Sequence, residues 1–199
     1  DCAEALGTYY NNKHVGNDGI FSIYSFNGNK IATTAGGGAI VTNNQYYAKK
    51  IQHLATTAKV KNTWKFEHDE IGFNFGMSNL IAALGCSQLK KLNKVIKIKR
   101  KMRNEYNKFF KLNDNFTIFK EQSKTKSNYW INLMILDNES LKDQFKILSY
   151  LNKNRIYAKR SWELISDLKP YNKFQSMDLS SSKEMLSRVI LLPSTPTLK

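Results

Sequence analysis

Cysteine and acidic residues are scarce in this chain. Cys2 and Cys86 are the only two cysteines in 199 residues, and they lie far apart, outside any Cys-x-x-Cys pair. That spacing excludes a disulfide framework and a cysteine-built zinc site, and it fits reduced thiols in a cytoplasmic protein. Histidine is equally sparse: His14, His53 and His68 have no metal-ligand spacing, so no metal is expected. No apolar run reaches the roughly 18–20 residues that a helix needs to cross a bilayer, so no membrane partner is expected. Because the first residue is Asp1, the chain says nothing about a leader peptide.

The shortage of acids leaves 16 Asp and Glu against 31 Lys and Arg, a formal charge of +15. Such a balance invites a nucleic-acid partner. The densest basic stretch, Lys90 to Arg103, argues otherwise. It keeps Leu92, Val95, Ile96 and Met102 at helical spacing, which assigns its charges to the outer face of an amphipathic helix. No aromatic–basic platform accompanies it, so a basic nucleic-acid-binding module rests on net charge alone and no nucleic-acid partner is expected. With 41% hydrophobic and 12% aromatic residues the chain is globular, and its length suffices for one core or part of a second.

Element by element, the first sixty residues read as α/β. Phe21 to Phe26 and Ala39 to Thr42 are short β-rich runs flanking Gly36–Gly38, and Asn43-Asn44 opens a helix reaching about Ala58. Residues 59–77 are polar, aromatic and glycine-bearing, which suits a crossing segment. From Ser78 to Phe110 apolar residues recur every three or four positions, predicting one long helix with a possible bend near Gly85. Strands follow at about 116–119 and 128–136, then a helix at about 140–153 and a strand near Arg155–Ala158. Ser181 and Glu184 have capping-box spacing before a last helix, and Val189–Leu192 closes as a strand. Two or three opening strands with one helix cannot cover both faces of a sheet, so the chain reads as a piece of a larger protein.

The chemistry concentrates at Lys30, in Ser25-Phe26-Asn27-Gly28-Asn29-Lys30 between an apolar run and a glycine cluster. An amine among short polar side chains, with a carboxylate available from a neighbouring strand, suits a lysine that forms a Schiff base with pyridoxal 5'-phosphate. Around it stand Asp1-Cys2-Ala3-Glu4-Ala5-Leu6-Gly7 and Thr33-Thr34-Ala35-Gly36-Gly37-Gly38. Further on come His68-Asp69-Glu70-Ile71-Gly72-Phe73-Asn74-Phe75-Gly76-Met77, Ala82-Ala83-Leu84-Gly85 with Gln88-Leu89, and Leu192-Pro193-Ser194. In this order the strings resemble the DegT-type nucleotide-sugar aminotransferases, over about the second half of such an enzyme.

The resemblance implies an α/β fold: the C-terminal part of a fold-type I pyridoxal-phosphate-transferase large domain (1–77, with the crossing segment) plus a smaller α+β C-terminal domain (78–199). It implies that Lys30 is catalytic and cofactor-binding, shuttling a proton during transamination. It further implies that Asp1 pairs with the pyridine nitrogen, Glu4 lies near the ring hydroxyl, and Ser25 donates to the cofactor phosphate. Asn74 would reach the cofactor of the other subunit in a homodimer with shared active sites. Nucleotide-sugar and amino-acid substrates follow: an amino group passes from L-glutamate to the 4-keto carbon of a nucleotide-linked deoxy sugar, for cell-surface polysaccharide. The wording around Lys30 is similar to the subgroup acting on UDP-4-keto-6-deoxy-N-acetylhexosamines. A lysine at position 30 also argues against the family's dehydratase branch, which has His there.

From local sequence alone, Asn74 is equally a turn residue, His68 is better read as a loop residue, and Asp1 is equally a strand-end or turn residue. Two departures stand out. Gly76 replaces the usual Arg, removing a bidentate anion donor, and Arg160 and Trp162 are one residue too close for the family's sugar-side segment. The alternative is a non-catalytic remnant that keeps the motifs without assembling a site.

Overall fold

The computed structural model describes residues 1–62, 64–137 and 141–197. In chain order the elements are β1 (Tyr9–Tyr10), β2 (Lys13–His14), β3 (Ser22–Ser25), β4 (Gly38–Val41), α1 (Gln45–Ala55) and α2 (Asn79–Phe110). Then come β5 (Phe116–Ile118), β6 (Thr125–Lys126), β7 (Asn132–Leu136), α3 (Leu141–Lys153), β8 (Lys159–Arg160), α4 (Ser180–Arg188) and β9 (Val189–Leu192). They fall into two compact units: residues 1–96 with 123–128, and residues 97–122 with 129–199. The helix α2 runs continuously through the point of division.

The first unit is built from two small antiparallel sheets. One has strand order β2-β1-β6, and the other is the β3–β4 pair, in register Ser22↔Val41 to Ser25↔Gly38. The β1–β2 connection is a two-residue turn in which Asn11 (φ 48°) and Asn12 (φ 62°) are both left-handed, a conformation asparagine tolerates and a hairpin's twist favours. In β3 the alternation is inverted. Ser22 and Tyr24 are buried while Ile23 faces outward beside its cross-strand partner Ile40, each about half exposed. The helix α1 starts where Asn44 accepts the backbone N–H groups of Tyr46 and Tyr47.

In the second unit β5-β7-β9-β8 form an antiparallel sheet. Period-two burial along β7 sends Met134 and Leu136 into a core with Ile118, Leu148, Ala158, Ile190 and Leu192. Gln144 on α3 is fully buried and satisfied. Its amide donates to the Leu186 and Val189 carbonyls at 3.0 and 2.9 Å and its oxygen accepts from Arg160.

Three local expectations are corrected. The charges of the Lys90–Arg103 stretch are not all outward: Lys99 and Arg103 are buried, because backbone carbonyls take the place of water. Lys99 donates to the Trp130 and Ser194 carbonyls at 2.9 and 2.6 Å, and Arg103 to the Phe119 carbonyl at 3.1 Å. The capping box does not form, because α4 begins at Ser180 and leaves Ser181 inside the helix. Asp178 instead accepts the Ser180 N–H at 3.0 Å, while Glu184 pairs with Arg188 one turn on. The strand foreseen near Arg155–Ala158 lies at Lys159–Arg160, since Arg155 is left-handed (φ 61°) and turns the chain first.

Candidate functional site

Of the five site residues read from sequence, Asp1, Glu4 and Lys30 lie in two loops and Ser25 ends the strand β3 to which both loops are tied. The first loop, Asp1 to Thr8, hangs from that strand by the Cys2 N–H donating to the Ile23 carbonyl at 2.9 Å. It then folds into successive turns, with Ala5 N–H to Cys2 O (3.0 Å) and Thr8 N–H to Ala5 O (2.9 Å). Gly7 closes it in the left-handed region (φ 80°), where an added Cβ would lie 2.3 Å from Ile96 Cδ1. The Gly7 N–H donates to His14 Nε2 at 2.8 Å while His14 Nδ1 donates to the Val15 carbonyl at 2.7 Å. This pattern fixes the ring as the neutral Nδ1–H tautomer.

The second loop joins β3 to β4 and carries Lys30. Its base is closed by Phe26 N–H to Gly37 O (3.0 Å) and Thr34 N–H to Phe26 O (2.9 Å), and a tight turn ends with Lys30 N–H on Asn27 O (3.0 Å). Gly38 is required at its end, because a Cβ there would sit 2.5 Å from the Tyr24 carbonyl oxygen. Ala35 holds φ 67°, a left-handed conformation costing an alanine about 1–2 kcal/mol. Between the loops the Lys30 amine donates to the Glu4 carboxylate. The lysine side chain is 11% exposed and that of Glu4 45%. The two are 26 residues apart in sequence, so the pairing is a product of the fold.

Asp1 is exposed, and its carboxylate accepts the Ala3 N–H at 2.9 Å. Ser25 ends β3 opposite Gly38, and its hydroxyl oxygen accepts the Asn27 N–H at 3.3 Å. Behind the strand, Tyr24 donates to the Val15 carbonyl at 2.9 Å, and burial, followed by the nearby Cys2, pushes its phenol above the ordinary value.

Asn74 lies elsewhere in the first unit, on a segment pinned to the end of α1. Phe73 N–H donates to Leu54 O (2.7 Å), Phe75 N–H to Ala55 O (2.9 Å), and Asn74 itself forms a bridge with Thr56. Alternation along this extended segment sets Asn74 against Phe73 and Phe75, whose rings stack at 5.1 Å. The side chain of Asn74 is exposed. His68 is a loop residue whose Nδ1 donates to the Thr57 carbonyl at 2.7 Å.

Two groupings escaped the sequence reading. His53 on α1 meets Asp69 at 2.6 Å and Glu70 at 3.5 Å, and among the described residues this triad could bring ligand atoms together around a cation. A cation is already there: Lys50 donates to both Glu70 oxygens at 2.5 and 2.6 Å, making the cluster an ion-pair network. The His53 hydrogen bond lowers the Asp69 carboxyl below its usual range, and Glu70 raises the Lys50 amine. The second grouping is Asn128, whose amide reaches the Glu4 turn. No local motif signals it, because its partners lie more than 120 residues away.

The chemistry of Lys30 and its partner fits pyridoxal 5'-phosphate: a sheltered amine suits the cofactor's aldehyde, and a half-exposed carboxylate lies beside that amine.

Comparison with known proteins agrees. The DegT/DnrJ/EryC1/StrS aminotransferase family matches residues 1–199. The chain is 33% identical over 199 residues to the GDP-perosamine synthase of Vibrio cholerae, covering 100% of this chain and 54% of that protein. It is 31% identical over 195 residues to the UDP-4-amino-4,6-dideoxy-N-acetyl-beta-L-altrosamine transaminase of Helicobacter pylori, covering 97% and 52%. Among solved structures it superimposes on Helicobacter pylori PseC, an aminotransferase involved in the biosynthesis of pseudoaminic acid. The TM-score is 0.93 at 30% identity, over 100% of this chain and 54% of the other. The chain thus spans about half the length of the curated relatives it matches.

Proposed function

Because this chain belongs to the DegT/DnrJ/EryC1/StrS aminotransferase family, we propose that it is the C-terminal portion of a pyridoxal-phosphate-dependent transaminase. That enzyme moves an amino group from L-glutamate to the 4-keto carbon of a nucleotide-linked deoxy sugar. The observation that carries the reading is the Lys30 amine, sheltered at the end of β3 and held by Glu4. When bound, pyridoxal 5'-phosphate supplies an electron sink for the carbon next to the transferred nitrogen.

Lys30 would be the residue that holds the cofactor's aldehyde, and its amine could take and return a proton. Glu4 holds that amine in register. Asp1 would favour a protonated pyridine nitrogen through its opposite charge, and Ser25 would donate to the phosphate. Asn74, exposed on a segment fixed by α1, serves the cofactor of a second subunit in a homodimer, the arrangement expected of a two-fold symmetric pair.

The portion reading is supported by the relatives' length and by the β3–β4 pair. Two strands alone make a marginal sheet, and here Ile23, Ile40 and Val41 stand half exposed on it. We divide the chain functionally into 1–77, the remnant of a cofactor-binding large domain with its crossing segment, and 78–199, a small α+β domain. Free Cys2 and Cys86 and a nucleotide-sugar substrate support a cytoplasmic site of action. Among the described residues no helix is long and apolar enough to cross a membrane.

The test is amination by the full-length enzyme. With L-glutamate and UDP-4-keto-6-deoxy-N-acetylhexosamine, mass spectrometry should detect the 4-amino sugar together with 2-oxoglutarate, and Lys30→Ala should abolish both. A folded enzyme that aminates no UDP-, GDP- or dTDP-linked 4-keto sugar would overturn the reading.

A further inference from the structure

We propose that Asn128 is a positioning residue for the lysine site: its side-chain amide holds the Glu4 turn where the Glu4 carboxylate can grip the Lys30 amine. The proposal rests on the reading of Lys30 as the reactive amine.

Pairing of β1 with β6 sets Tyr9 opposite Lys126. The chain beyond Lys126 therefore runs back along Thr8 toward the Asp1–Gly7 turns, and this register delivers Asn128 to them. There it is buried, 3% exposed. Its backbone N–H donates to Thr8 Oγ1 at 3.1 Å, and its Nδ2 donates to Glu4 O at 2.7 Å and Leu6 O at 3.0 Å. The turns engage the Cys2 and Ala5 carbonyls internally, whereas the carbonyls of Glu4 and Leu6 converge on this one NH2 group.

Two donors on one nitrogen, carried by a short neutral stem, are what Asn provides. Asp offers acceptors only, and Ser a single donor. Glu4 is consequently fixed on its backbone side by Asn128 while its half-exposed carboxylate engages Lys30. Releasing the carbonyl lets the carboxylate swing into solvent, and Lys30 loses this ion-pair partner.

The experiment is trace acetylation of the cofactor-free full-length protein at neutral pH, with the Lys30 peptide quantified by mass spectrometry in a double-mutant cycle. Glu4→Gln removes the carboxylate and should accelerate Lys30 labelling about two- to fivefold, the range of an exposed ion pair. Asn128→Asp, isosteric but with acceptors facing the two carbonyls, should accelerate it by a similar factor. The double variant should label no faster than Glu4→Gln alone, because both changes act through one contact. Asn128→Ser, which loses the second donor without adding charge, should behave as Asn128→Asp does and serves if the aspartate variant does not fold.

Unchanged Lys30 labelling in a folded Asn128 variant would overturn the proposal, even with a lowered melting temperature, because the residue would then serve the fold alone. Multiplying effects in the double variant would overturn it too. The labelling needs no cofactor, so a failure of the transaminase reading leaves this test intact, and the reverse also holds.

Discussion

Lys99 offers a quantitative test of the second unit. Its amine is buried against the Trp130 and Ser194 carbonyls, and desolvation lowers its pKa from 10.5 to about 8. Below pH 8 the folded and unfolded chains both carry the proton, and the burial cost is constant. Between pH 8 and 10.5 the unfolded chain binds more protons, so stability rises with pH as the folded amine gives its proton up. The whole gap corresponds to about 3 kcal/mol. Two carbonyl acceptors and residual solvent screening favour the charged form, which reduces the expected gain to about 1–2 kcal/mol between pH 7 and 9.5. The window stops there because the phenols of Tyr24 and Tyr106, raised by burial, act in the opposite direction from about pH 10 upward. Urea denaturation of the full-length protein and of Lys99→Met, followed by tryptophan fluorescence at pH 7, 8, 9 and 9.5, isolates the effect. Wild type should gain stability relative to the variant across the series. Absolute stability at pH 7 is a poorer readout, since Met leaves two carbonyls without a donor at about 1–3 kcal/mol each. Parallel curves for the two proteins would refute the reasoning.

Gly72→Ala should lower the melting temperature, by roughly 1–3 kcal/mol of stability, because its Cβ would lie 2.4 Å from Ala58 N and 2.5 Å from Thr57 C, both backbone atoms; an unchanged melt would contradict this packing. Asp178→Ala should destabilise α4 in hydrogen exchange whereas Ser181→Ala should not, as the carboxylate and not the foreseen serine meets the helix start. Gly76→Arg should leave the fold intact, because a Cβ there meets nothing nearer than Thr56 Cγ2 at 3.9 Å. In the full-length enzyme it should also lower the KM for glutamate, by restoring a bidentate carboxylate donor; a raised or unchanged KM would count against that role.

What the sequence disclosed was local. The 3.6-residue recurrence from Ser78 to Phe110 corresponds to α2, and Asn44 does cap α1, because one face of a helix and its first turn are determined by neighbouring residues. The β1–β2 hairpin went unread although Asn11-Asn12 is a turn signal, since two-residue strands carry no alternation to detect. The helical spacing of Leu92, Val95, Ile96 and Met102 assigns Lys99 and Arg103 outward with the other charges of that stretch. Nothing near them in the chain announces the carbonyls of residues 130, 194 and 119 that bury them. At the site, the motif marks Lys30 as a candidate, but its contact with Glu4 and the hold of Asn128 on that turn are tertiary. So is the His53–Asp69–Glu70 network, whose histidine lies 16 or more residues from either carboxylate. Covalent attachment at Lys30 and the placement of Asn74 in a second subunit rest on chemistry and resemblance, and each has its own experiment.

A C2 dimer in which a Lys30→Ala subunit and an Asn74→Ala subunit restore activity when mixed would establish the sharing of sites. The most direct measurement is simpler still. Full-length protein incubated with pyridoxal 5'-phosphate, reduced with borohydride and digested should carry the pyridoxyl group on the peptide containing Lys30, at close to one label per chain. A label on another lysine, or none at all, would contradict the account.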